Sequence, residues 1–72
     1  MQPHIGTPAV KVRGLAAERG LTQEDIGTIL GRNRRYVGDR YRGKGEFLAS
    51  ELAKIATHFN VPVGALFGEV RS

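Results

Sequence analysis

The sequence predicts an all-α fold, a single compact domain of five short helices. Three observations carry that expectation. Apolar residues recur at three- and four-residue spacings along most of the chain. Glycine or asparagine closes those stretches, at Gly20, Gly31, Gly43 and Asn60. The one strand-like triplet, Val61 to Val63, is too short and is interrupted by Pro62. With 72 residues the chain allows one domain. A domain of that size buries only about 60% of its unfolded surface, so its packing must be tight. The absence of cysteine excludes disulfides and thiolate-bound metal as staples. An apolar content of 40% is ordinary for a globular protein, and no apolar run approaches the roughly 20 residues that span a membrane.

Residues 1–7 contain Pro3 and Gly6 and show no periodicity, so a flexible arm is expected there. No basic region followed by an apolar stretch marks a secretory signal, and a cytoplasmic setting is the expectation. The domain proper is expected over 8–68, with a short tail at 69–72. Pro8 suits a first helical position with Thr7 as N-cap, and Val12, Leu15 and Ala16 form one face before Gly20. Thr22 caps the second helix, with Asp25 three residues on completing a capping box, and Ile26, Ile29 and Leu30 form its buried stripe. Asn33 caps the third, whose apolar positions are Val37 and Tyr41. The fourth runs from about Leu48 to Phe59, with Leu52, Ile55, Ala56 and Phe59 on one face. Pro62 opens a last turn that holds Leu66 and Phe67.

The net charge of +4 is unevenly spread. Arg32, Arg34, Arg35, Arg40, Arg42 and Lys44 fall within thirteen residues that hold one acid, Asp39, so that window carries +5 and the other 59 residues −1. A compact cationic patch on a nearly neutral body suits a polyanionic partner. A solvated basic face kept for solubility is the alternative. Arginine dominates the window, and its planar fork fits phosphates and guanine edges better than lysine does.

The helices expected at 22–30 and 33–42 are joined by Gly31-Arg32, and the second holds most of the charge. This is the arrangement of a helix-turn-helix. Gly31 tolerates the positive φ that the turn needs, and Gly27 removes bulk where the helices cross. A neutral glycine that merely weakens its helix by about 1 kcal/mol is the other reading of Gly27.

The stretch Gly20 to Gly27, then Leu30-Gly31, Val37 and Arg42-Gly43-Lys44, resembles the Cro/C1-type helix-turn-helix family. Glu51 to Ala56 followed by Asn60 to Val63 is similar to that family's fourth helix and its entry to the fifth. Tyr36-Val37 and Gly43 to Phe47 look most like short regulators of actinobacteria and their phages. The resemblance spans about Val10 to Phe67. It implies a lambda-repressor-like five-helix DNA-binding domain that works as a homodimer on a two-fold, double-stranded operator, often as a repressor. It also implies that Asn33, Arg34, Arg35 and Asp39 face bases, and that Gln23, Arg40, Arg42, Gly43 and Lys44 contact the backbone.

Elementary chemistry agrees with most of these roles. Arginine makes two parallel hydrogen bonds to guanine, so Arg34 or Arg35 would favour a G·C pair. Asp39 either accepts from cytosine or orients Arg35 through an i, i+4 pair, the latter being favoured. Two departures from the family stand out. Arg40 occupies a position usually aliphatic, where it either reaches phosphate or stacks on Tyr36. Tyr41 and Ala16 replace an acid–arginine pair, and a ring over a small residue is the expected substitute. Gly38 either lets a base or methyl group come close or loosens its helix. Leu66, Phe67 and Val70 form a dimer contact, a docking surface for a protein partner, or part of the core.

The histidines, His4 and His58, have no third ligand at metal spacing, and no nucleophile has recognisable partners, so neither cofactor nor enzyme activity is expected. No ligand-binding domain follows, so no small-molecule effector is expected. Two other readings of the chain compete: a protein-interaction module such as an antitoxin, and an architectural or RNA-binding protein that grips backbone without reading sequence.

Overall fold

The structure is a computed structural model that describes residues 8–67, Phe67 by its backbone alone. The expected arm at 1–7, the Thr7 cap, the tail at 69–72 and Val70 lie outside the described residues. Five helices follow one another: α1 (Pro8–Glu18), α2 (Gln23–Leu30), α3 (Arg34–Tyr41), α4 (Ala49–Phe59) and α5 (Gly64–Phe67).

Local chemistry sets each boundary. Thr22 stands in extended conformation before α2, its hydroxyl accepting from Asp25 N–H at 3.1 Å while Thr22 N–H donates to the Asp25 carboxylate at 2.9 Å. Both halves of the capping box are thus made. Gly31, at φ 72°, ends α2 in the left-handed conformation that only glycine enters without cost. Asn33 caps α3 by accepting from Tyr36 N–H at 2.9 Å. Asn60 ends α4 at φ 59°, the left-handed cap its position suggested. α4 begins at Ala49, because Leu48 takes the extended N-cap conformation.

The core is one cluster drawn from every helix and the loop before α4. Val12 and Ala16 come from α1, Ile26 and Leu30 from α2, Val37 from α3 and Phe47 from the loop. Leu52, Ile55, Ala56 and Phe59 come from α4, and Leu66 from α5. Each fully buried aliphatic side chain contributes about 1.5–3 kcal/mol of transfer free energy. Leu66 is fully buried, on the helix that packs against α1. Of the three readings open to Leu66, it takes the place in the core and offers no surface to a partner. Tyr41 stands half-buried and edge-on to Phe47, ring centroids 6.4 Å apart, while Ala16 is buried in the same core. No helix among the described residues is long and apolar enough to cross a membrane.

Candidate nucleic-acid interface

α2, the Gly31–Asn33 turn and α3 pack more extensively on each other than any other pair of elements. Gly27 makes this possible, for a Cβ there would lie 2.5 Å from the Arg32 carbonyl oxygen and 3.3 Å from the Asn33 carbonyl carbon. Packing is therefore the reason for glycine at this position. Gly38 serves a second close approach, where a Cβ would meet Gln23 Oε1 at 2.8 Å and Arg42 Nη1 at 3.3 Å. Gln23, from the start of α2, and Arg42, from the end of α3, thus converge over the flat surface that Gly38 leaves.

The residues expected to face bases occupy the exposed start of α3. Arg34 and Arg35 are exposed and make no hydrogen bond or ion pair among the described residues. Asn33 is exposed as well, but its amide oxygen is committed to the cap. Asp39 pairs with Arg42 instead of Arg35, its Oδ1 accepting from Arg42 Nη2 at 2.6 Å. That corrects the expected i, i+4 partnership and has a physical reason. Asp39 lies next to the end of α3, where Arg42 folds back across Gly38 and reaches it first.

Arg40 stacks. Its guanidinium carbon lies 3.9 Å from the Tyr36 ring centroid, Nη1 donates to the Lys44 carbonyl at 3.1 Å, and the group covers Gly45. Gly45, at φ 103°, has no Cβ to obstruct it. Gly43 is also left-handed, at φ 86°, and Lys44 N–H donates to the Asp39 carbonyl at 2.8 Å. These bonds fold Gly43-Lys44 into a tight turn with exposed Lys44 at its tip and exposed Arg42 just before it.

Arg32, Tyr36 and Glu51, none of them among the residues expected to contact DNA, join here. Arg32 also lies over the Tyr36 ring, 4.4 Å from its centroid, and its Nε donates to Glu51 Oε2 at 3.1 Å. The Tyr36 hydroxyl donates to the same carboxylate, 2.7 and 2.8 Å from its two oxygens. Burial raises the Tyr36 pKa, and the bond to Glu51 adds to the rise. Burial would raise Glu51 too, but hydrogen bonds from Leu48, Tyr36 and Arg32 outweigh it and hold the carboxyl below the usual carboxylate value. Burial also raises Tyr41, opposed by the Arg13 charge. The signal for Glu51 was available: it follows Leu48 by three residues and precedes Ile55 by four, so it lies on the apolar face of α4.

Neither a protein-family model nor a curated protein sequence matches the chain. Among solved structures, the high-resolution crystal structure of the restriction-modification controller protein C.AhdI from Aeromonas hydrophila is similar, with 30% identity and a TM-score of 0.72. The match covers 83% of this chain and 87% of that one. This chain belongs to the Cro/C1-type helix-turn-helix family. In the helix-turn-helix of this family member the first helix is α2 and the second is α3. The pairing of Tyr36 with Glu51 was not anticipated from its sequence.

Proposed function

We propose that the chain is a sequence-specific regulator of transcription that binds double-stranded DNA as a dimer on a two-fold operator, acting as a repressor. One observation carries this reading: Arg34 and Arg35 stand exposed at the start of α3, unpaired among the described residues, on a helix packed against α2 and α1. Freely presented guanidinium forks on a rigid helix are what guanine recognition in the major groove requires. Gln23, Arg42 and Lys44 flank that end and the loop beyond it, and they are proposed to hold phosphates. Asn33 and Asp39 contribute to base reading, Asp39 in competition with its Arg42 partner. Arg40, stacked on Tyr36 and tied to Lys44, acts by shaping the Gly43-Lys44 turn more than by gripping phosphate itself. That C.AhdI, a controller protein, shares the fold supports a regulatory role. The protein-docking alternative loses Leu66, which is buried.

Replacing Arg34 or Arg35 with alanine is expected to cost about 1–3 kcal/mol on a selected duplex and to relax preference at one base position. Arg42→Ala is expected to weaken binding to all duplexes alike and to lower the salt slope by roughly 0.9. Fluorescence anisotropy titrations over a range of salt check both. Unchanged affinity and preference in both Arg34→Ala and Arg35→Ala would sink the base-reading assignment.

A further inference from the structure

Glu51 stands on α4, away from the residues proposed to touch DNA, yet it ties together much of what positions them. It is 5% exposed, and its carboxylate accepts from three elements. Leu48 N–H, at the start of α4, donates to Oε1 at 2.9 Å. The Tyr36 hydroxyl of α3 bridges both oxygens, and Arg32 Nε of the α2–α3 turn donates to Oε2 at 3.1 Å. The Tyr36 ring in turn carries the guanidinium groups of both Arg32 and Arg40. Turn, recognition helix and loop are therefore all registered against one carboxylate.

Stability alone does not account for an acid at this position. Its neighbours on the same face, Leu52 and Ile55, are apolar and buried. A leucine at position 51 would fill that face without the cost of desolvating a charge, and buried ion pairs are often replaced by apolar groups at no loss of stability. A satisfied polar network instead fixes one relative placement of the elements that share it. Arg32 gains a second constraint. With its plane on the Tyr36 ring and Nε held by Glu51, its terminal nitrogens make no hydrogen bond among the described residues, and the side chain is 44% exposed.

We propose that Glu51 is a positioning residue for DNA recognition, setting the seating of α3 through Tyr36 and holding Arg32 pre-oriented towards a phosphate. The proposal rests on the DNA-binding reading above. Such a residue sharpens discrimination between sequences, because a shift of α3 spoils base contacts while leaving general attraction to phosphate intact.

The test measures affinity for a duplex selected from a random pool and for an unrelated duplex of equal length, at one salt concentration. Wild type, Glu51→Ala, Glu51→Gln and Tyr36→Phe are compared at a temperature where circular dichroism shows each one folded. Glu51→Ala and Tyr36→Phe are expected to lower the ratio of the two affinities about tenfold, the size of one lost base contact. Glu51→Gln, which keeps an acceptor for Tyr36, is expected to recover part of that ratio. Tyr36→Phe removes one oxygen and keeps the ring, so it carries the test if Glu51→Ala fails to fold. Variants that melt earlier but keep the wild-type ratio would make Glu51 a structural residue only and overturn the proposal. A wild-type protein that prefers neither duplex would instead remove the sequence-specific reading itself, and this inference with it.

Discussion

At the scale of single residues, the charged groups of this protein divide into those held and those left free. Glu51, Arg32, Arg40, Asp39 and Arg42 are engaged with one another or with Tyr36, whereas Arg34 and Arg35 remain open to solvent. The held groups make stability depend on pH with a definite sign. Glu51 is more acidic in the folded chain than its ordinary value of 4.5, so its contribution is present at neutral pH. It is lost as the pH falls from about 4.5 through the lower folded value. Tyr36 is raised above 10.0 in the folded state, so its contribution holds below that pH and is lost as the pH rises past it. Urea midpoints measured from pH 7 down to 2 are expected to fall in the wild type, and to fall less in Glu51→Gln. Parallel curves for the two proteins would contradict the assignment.

At the scale of elements, the helix-turn-helix depends on how closely α2, at Gly27, approaches the turn that leads into α3. Alanine is the better helix former by about 1 kcal/mol. The added carbon, however, meets a main-chain oxygen at 2.5 Å, which only a backbone shift relieves. Overpacking of this kind costs about 1–3 kcal/mol. Gly27→Ala is therefore expected to lower the denaturant midpoint. Gly14→Ala on α1, where nothing lies within 4 Å of the new carbon, is expected to raise stability by about 0.5–1 kcal/mol. Equal effects at the two glycines would mean that the crossing is not what fixes residue 27. Most of this level was legible in the sequence, because caps and stripes are local. Thr22 with Asp25, Asn33, Gly31 and Asn60 announce helix ends through chemistry within a few residues of each end. Partners chosen by the tertiary fold were not legible. Asp39 has arginines at i−4 and i+3, and only the surface left open by Gly38 brings Arg42 to it. Glu51 meets Tyr36 and Arg32 across fifteen and nineteen residues, a distance over which spacing says nothing.

At the scale of the whole molecule, a nearly neutral helical body carries its excess charge in one segment, from the α2–α3 turn to the loop before α4. The core holds α3 from behind through Val37, and Glu51 holds it from the side through Tyr36. Arginines at the start of α3 therefore stand exposed on a rigid support, the arrangement on which the proposed reading of sequence, beyond simple attraction to phosphate, depends. Selection of bound duplexes from a randomised pool at moderate salt, followed by sequencing, tests that separation most directly. An inverted repeat with half-sites about 10 base pairs apart is predicted, with one conserved G·C position lost when Arg34 or Arg35 is replaced by alanine. Retention of duplexes with no enriched sequence would contradict the account and leave the arginine segment as a grip on backbone alone.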